Sequence, residues 1–352
     1  MTSQALEGTD ARSRLALVTG GAGFIGSHLV ERLIADGHTV RVIDNLSTGR
    51  LANLAHLQGS PRLSVHQAEV NDLSAIRPLF EGVDWVFHLA ALADIVPSIQ
   101  RPTEYHIANV DGTMAAVEAA RLAGVRRLIY TASASCYGIP DEYPTSEGAA
   151  IRPQYPYALT KYVGEQYALH WAQVYGVPTV SLRLFNVYGP RSRTSGAYGA
   201  VFGTFLAQKL AGMPFTVVGD GNQTRDFTFV TDVADAFVRG AASDVTGECI
   251  NIGTGEPQSV NTLVALLGGD AVHIPKRPGE PDRTAADIRK AERLLGWRPT
   301  VAFAAGVGIL LDNIDYWRSA PVWTPEGISE ATKDWFAYLG PKAAAGAAKE
   351  RS

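Results

Sequence analysis

The stretch "LALVTGGAGFIGSHLVERL", Leu15 to Leu33, decides the fold. A short apolar run with strand character enters a turn with glycines at 20, 23 and 26, and a helical pattern begins directly behind it. Gly20 permits a tight turn, Gly23 lets backbone approach a pyrophosphate, and Gly26 lets the helix pack close to the strand. The first helical turn then offers unpaired N–H groups and the positive end of a helix dipole. The next apolar run, "TVRVID" (39–44), ends in Asp44, whose carboxylate suits ribose hydroxyls and repels a 2′-phosphate. Strand, turn, helix and acid in this order predict a dinucleotide site that prefers NAD to NADP.

Outward from this unit the pattern repeats. "RLALVTG" (14–20), "TVRVID" (39–44), "RLSVHQAEV" (62–70), "DWVFHLAA" (84–91), "RRLIYTAS" (126–133) and "TVSLRLFN" (179–186) read as strands, with helical segments between them. Such alternation predicts an α/β fold, a doubly wound parallel sheet covered on both faces. After Asn186 the rhythm breaks in "VYGPRSRTSGAYGAVF", and "RDFTFVTDVADAFVRGA" with "ECINIGTG" reads as a return to the first unit. The expected division is a Rossmann-type domain of residues 14–186 plus 226–258 and a smaller mixed α/β C-terminal domain of 187–225 plus 259–340. Residues 1–13 and 342–352 are expected to be disordered tails.

Composition narrows the function classes. The 352 residues are 46% hydrophobic and 19% charged, with a net charge of −4, which suits a globular chain with a large core and no nucleic-acid partner. Cys136 and Cys249 have no metal-ligand spacing and no disulfide framework, no His/Asp/Glu cluster suggests a metal, and a reducing cytoplasm is expected. No signal-peptide core or membrane-length apolar run is evident.

"YPYALTKYVGEQ" places Tyr157 and Lys161 four apart, on one face of a predicted helix. A fixed ammonium and an oxidised nicotinamide would both lower a tyrosine pKa, and so make Tyr157 a base at neutral pH. Tyr338 and Lys342 share the spacing, but Gly340 and Pro341 interrupt the helix, so that pair reads as a decoy. Lone histidines such as His28 and His170 read as satisfying local hydrogen bonds.

The 20/23/26 glycines, "HLAA" (88–91) and the Tyr157/Lys161 pair together resemble the extended branch of the short-chain dehydrogenase/reductase superfamily. Within it the chain is similar to the NAD-dependent nucleotide-sugar epimerase/dehydratase family, and to UDP-sugar 4-epimerases above all. The resemblance implies that Phe24, Ile25, Asn45, Glu69, Val70, Leu89, Ala90 and Ala91 join Gly20, Gly23, Gly26, Asp44, Tyr157 and Lys161 at NAD. It aligns Ser133, in "YTASASCYG", with the residue that hydrogen-bonds the hydroxyl being oxidised, beside Tyr157 and Lys161 as the catalytic set. Ser135 is a second hydroxyl contact and Thr131 is taken as structural.

Sugar dehydratases of the family carry an Asp-Glu pair directly after the catalytic Ser/Thr, and decarboxylases usually carry a glutamate at the second of those positions. Ala134 and Ser135 stand there instead, and neither trades protons near neutral pH. What remains is oxidation at one carbon and its reversal, which gives epimerisation at C4. A nucleotide-sugar oxidoreductase, or a dehydratase or decarboxylase of the same family, is the nearer alternative, and a non-catalytic NAD-binding protein the more distant one. For the substrate, the resemblance assigns Asn186, Arg225 and Arg277 to the sugar diphosphate and Glu280 to the nucleotide ribose. It assigns residues 196–208 to the uracil and Thr284 to the space near C2, where a small residue admits an N-acetyl group. Arg191 and Arg193 either bind a uronic acid carboxylate or, for Arg191, serve structure alone. A homodimer through helices around 103–123 and 156–176 is also implied.

Overall fold

The computed structural model describes residues 13–192 and 201–340. The expectations for both tails, for Arg193, for Lys342 and for the first part of the 196–208 loop lie outside the described residues. In chain order the strands are β1 (Leu15–Thr19), β2 (Thr39–Asp44), β3 (Leu63–Gln67), β4 (Trp85–His88), β5 (Arg127–Ser133), β6 (Thr179–Leu184) and β7 (Asn186–Tyr188). There follow β8 (Phe215–Val218), β9 (Thr224–Arg225), β10 (Phe227–Phe229), β11 (Glu248–Ile252), β12 (Gln258–Ser259) and β13 (Ala271–Ile274).

Seven strands form one parallel sheet in the order β11-β6-β5-β4-β1-β2-β3. Near-continuous apolar strands such as β1, β5 and β6 are what a sheet buried on both faces requires. The order reverses between β1 and β4, so the crevice at their carboxyl ends is where such sheets take ligands. One face is covered by the helices Phe24–Ala35 and Val230–Ala242, the other by Gly112–Ala123 and Pro156–Tyr175. A third, aromatic core of Tyr188, Phe202, Phe205, Phe215, Phe227, Phe229 and Trp317 lies under the shorter strands. Among the described residues no helix is long and apolar enough to cross a membrane.

Several expected strands are shorter than the sequence pattern, among them the run 84–91, which stops at His88. The run 62–70 stops at Gln67, and the run 179–186 breaks after Leu184. Phe185 N–H still donates to Ile252 O at 2.9 Å, but Asn186 N–H turns to Asp226 O at 3.1 Å, and β7 then pairs with β10 instead of the main sheet. Asp226, fully buried, explains the switch. Its carboxylate accepts from the N–H groups of Thr254, Gly255 and Ala286, and so ties three segments at the strand ends. The expected return to the first sheet occurs, with β11 alongside β6.

The helix Pro156–Tyr175 is fastened to the sheet by a buried ion pair. Arg183, on β6, donates Nε to Glu165 Oε2 at 2.9 Å and Nη2 to Oε1 at 2.5 Å, while Ser181 Oγ donates to Oε2 at 2.9 Å. Arg183 Nη1 also donates to the Tyr137 hydroxyl, which donates in turn to Asn251 Oδ1 at 2.7 Å. Both charged side chains are nearly inaccessible, at 5% and 1% exposure. Removing one partner strands the other as a buried charge. Glu165→Ala is therefore expected to lower the unfolding free energy by about 3–5 kcal/mol in urea denaturation, an effect far above that of an exposed ion pair.

Candidate active site

A cleft of about 1150 Å³ runs across the carboxyl ends of the central strands and down to the shorter strands. At one end lies the glycine turn. Gly20 has a φ of +70°, and a side chain there would meet the backbone N of Ala90 at 2.8 Å. A Cβ on Gly26 would stand 2.2 Å from Gly20 O, so only glycine lets the helix leave the strand this closely. Thr19 Oγ1 accepts from the N–H groups of Leu89 and Ala90, at 3.1 and 3.2 Å. It also meets His88 Nδ1 at 2.8 Å, and His88 Nε2 meets Thr113 Oγ1. Burial holds His88 down to about 3, with Lys161 adding to the effect, so this ring stays neutral and structural.

Asp44 is buried, and its carboxylate accepts from Ala22 N–H at 3.0 Å and Leu46 N–H at 2.8 Å. Burial nonetheless raises its pKa above the usual aspartate value. Two backbone bonds leave acceptor sites on a carboxylate that has about four. Asn45 Nδ2 donates to Glu69 Oε2 at 3.0 Å, setting the rim beyond Asp44. Gly20, Gly23, Phe24, Ile25, Gly26, Asp44, Asn45, Glu69, Val70 and Leu89 to Ala91 all line this part of the cleft. Thr131 Oγ1, on the same wall, is buried with no protein partner. The glycine cradle, the acid at the end of β2 and this open hydroxyl fit a dinucleotide.

The cleft narrows to Ser133, Ser135 and Tyr157. Ser133 ends β5, its Oγ lies 2.9 Å from Ser135 Oγ, and it shares this part of the cleft wall with Tyr157. Tyr157 sits in the first turn of the helix Pro156–Tyr175, behind Pro156, whose fixed φ starts that helix. Burial raises the Tyr157 pKa, the Ser133 hydrogen bond pulls it back, and the charge of Asp94 pushes it up. Of the residues expected at the site, Lys161 alone is not on the cleft wall. It lies one helical turn deeper, 4% exposed, with Nζ 4.6 Å from the centroid of the Tyr130 ring. Burial lowers its pKa to about 7, and Glu165, one turn further along, draws it back up. Cys136 has its thiol pushed up to about 12 by burial and offers no thiolate.

The far end holds the expected substrate residues. Thr284 Oγ1 accepts from Asp226 N–H and donates to Asn186 Oδ1, both at 2.9 Å, which orients the Asn186 amide. Arg225 Nη2 donates to Glu280 Oε1 at 2.8 Å, and Arg277 Nη1 lies 3.8 Å from Oε2 of the same carboxylate. Two guanidinium groups around one carboxylate leave a net positive charge on the wall. Arg191 is different. Its guanidinium bonds Glu31, His28 Nδ1 and Asn53 O, joining the loop after β7 to the helix Phe24–Ala35. His28 Nε2 meets Pro190 O at 2.9 Å, a local structural role. Of the two roles open to Arg191, the geometry supports the structural one.

Sequence reasoning missed Asp94, Tyr155 and Trp335. Tyr155 and Tyr157 stack with centroids 6.4 Å apart at 6°, and Trp335, from the last described helix, lies 6.2 Å from Tyr155. The Y-P-Y spacing was a visible signal for Tyr155, whereas nothing local marks Trp335.

The buried lysine has a consequence for stability. Its folded pKa is depressed below the ordinary lysine value of 10.5, so the unfolded chain binds the extra proton. Stability therefore rises with pH between about 7 and 10.5 on account of this group, and below that window its full cost is present. In protein stripped of NAD, Lys161→Met should raise the melting temperature at pH 7, and the gain should vanish as pH approaches 10.5. A gain that is constant across this range would contradict the assignment.

Residues 16–253 match the NAD dependent epimerase/dehydratase family. A UDP-glucose 4-epimerase of Mycolicibacterium smegmatis is 41% identical over 312 residues, 86% of this chain and 98% of that one. The structure of a UDP-glucose 4-epimerase from Thermotoga maritima with UDP-glucose superposes with a TM-score of 0.80 at 33% identity, over 87% of this chain and 99% of that one. A UDP-glucuronic acid 4-epimerase from Bacillus cereus, in complex with UDP-glucuronic acid and NAD, gives a TM-score of 0.78 at 33% identity, over 86% and 99%. With the glycine cradle, the parallel sheet and the Ser133/Tyr157/Lys161 grouping in place, this chain belongs to the NAD-dependent epimerase/dehydratase family.

Proposed function

We propose that this protein epimerises a UDP-sugar at C4 through a transient 4-keto sugar. The carrying observation is that Ser133 and Tyr157 meet on the cleft wall, with Lys161 one helical turn deeper on the Tyr157 helix, while Ala134 and Ser135 follow Ser133 on that wall. Those two positions lack the carboxylates that dehydration or decarboxylation would use. When bound, NAD supplies reversible oxidation at C4 and a positive ring charge. Tyr157 takes the proton of the 4-hydroxyl and gives it back. Ser133, on the same wall as Tyr157 and close enough to act on its hydroxyl, orients the substrate hydroxyl for it. Lys161, one turn deeper on the same helix, holds the nicotinamide ribose and, when charged, favours the phenolate form of Tyr157.

The glycines 20, 23 and 26 with Phe24 and Ile25 hold the pyrophosphate, and Asp44 with Asn45 the adenosine ribose. Glu69, Val70 and Leu89 to Ala91 flank the rest of the cofactor. Arg225 and Arg277 grip the substrate diphosphate, and Glu280, which they share, is the ribose acceptor. Asn186 contacts the sugar diphosphate, and Ser135 the sugar hydroxyl side. Thr284 is small, and its hydroxyl is turned onto Asn186, which leaves room near C2 for a hexose or an N-acetylhexosamine. With Arg191 engaged by Glu31 and His28, the case for a uronic acid loses that arginine. In this reading residues 14–186 plus 226–258 bind NAD, and 187–225 plus 259–340 bind the nucleotide-sugar.

Two tests follow. Protein purified without added cofactor is expected to interconvert C4 epimers of a UDP-hexose or UDP-N-acetylhexosamine with no net change at the nicotinamide absorbance band. Tyr157→Phe should retain NAD and lose about 10²–10⁴-fold in kcat. Steady consumption of added NADH would instead identify a net oxidoreductase. The second test concerns assembly. Ile107, Met114, Leu122, Leu159, Val174 and Tyr175 are exposed on the helices expected to form a homodimer. Sedimentation should give twice the chain mass, and Leu159→Glu with Val174→Glu should give the monomer.

A further inference from the structure

The chain's last described helices, Pro325–Ala331 and Lys333–Leu339, close one side of the cleft. They are fastened at two points, before the first helix and at the start of the second. Gln208 Nε2 donates to Trp323 O at 2.7 Å just before the first, and Gln100 Nε2 donates to Asp334 Oδ2 at 2.7 Å on the second. Directly after the second anchor, Trp335 points inward, 4% exposed and on the cleft wall. The Arg277 guanidinium stands over the indole, 5.4 Å from the ring centroid, and Nε1 of that same indole donates to Pro278 O at 2.7 Å. Side chain and main chain of the Arg277–Pro278 pair thus rest on one aromatic residue. On its other side the indole meets Tyr155, which stacks on Tyr157.

We propose that Trp335 is the positioning residue for Arg277, so that the C-terminal helix sets the geometry with which the cleft grips the substrate diphosphate. This rests on the reading of Arg277 as a diphosphate ligand. An arginine side chain has several rotatable bonds, and Glu280, 3.8 Å from Arg277 Nη1, is shared with Arg225. Cation–π attraction to the indole face and the Nε1 bond to the next residue add a directional restraint on both the side chain and the main chain. A guanidinium that is held before the substrate arrives loses less freedom on binding, which improves affinity without touching the reacting carbon. Trp335 would therefore act on substrate affinity and leave turnover nearly unchanged.

The experiment compares wild-type holoenzyme with Trp335→Leu, Trp335→Phe and Arg277→Ala. UDP affinity is measured by calorimetry, and kcat and KM are measured for C4 epimerisation. Trp335→Leu fills much of the same space without a π face or a donor, and is expected to weaken UDP binding and raise KM about tenfold with kcat within about threefold. Trp335→Phe keeps a ring and should recover most of that loss. Arg277→Ala should weaken UDP by more than Trp335→Leu does. If Arg277→Ala weakens UDP binding while Trp335→Leu does not, or if Trp335→Leu acts on kcat instead of KM, the positioning role is wrong. If Arg277→Ala binds UDP as wild type does, the diphosphate assignment itself falls, and this proposal falls with it. Retained NAD and a cooperative melting curve in each variant separate these outcomes from misfolding.

Discussion

The buried Glu165–Arg183 pair is the constraint on which the site's geometry depends. It joins the helix Pro156–Tyr175 to β6, and through Tyr137 and Asn251 it extends to the loop after β5 and to β11. Tyr157 and Lys161 stand on that helix, and Ser133 stands at the end of β5, next to β6 in the sheet. A helix packed only by apolar contact can slide by fractions of a residue. A bidentate guanidinium–carboxylate pair with its lone pairs satisfied has one good arrangement, and that directionality fixes the helix register against the strand. The energetic worth of the pair over a hydrophobic replacement is small, so its contribution here is to geometry.

The same low-polarity interior that makes the pair directional shapes the chemistry. Lys161 lies in it with a depressed pKa, and Tyr157 in it with a raised one. Both shifts come first from burial, and both make the charged forms costly until opposite charges meet. An ammonium and a phenolate formed together satisfy each other better than either does alone. This arrangement stores instability at the place where proton transfer is wanted, and the rest of the sheet offsets it.

Much of the fold could be read in the sequence because its signals are local. Six parallel strands, the glycine turn and the acid after β2 follow from periodicity and from backbone sterics over a few residues. The run 179–186 was less legible. Its apolar character continues past Leu184, and only the distant Asp226 shows why the chain leaves the sheet at Asn186. In the site, the spacing of Tyr157 and Lys161 was legible because a helix repeats over four residues. Their different depths were not, since those depend on Tyr130 and the packing around it.

The sequence by itself determined the succession of strands and helices, the glycine cradle and the absence of acids after Ser133, each set by neighbours along the chain. Tertiary structure alone decided how each polar side chain is used. Arg191 and Arg277 look alike in the sequence, yet one is bound to Glu31 and His28, and the other faces the cleft on the ring of Trp335. Their partners are far along the chain, and hydrogen bonds and cation–π contacts act over only a few ångströms. No local pattern records which distant group packing will bring within that range.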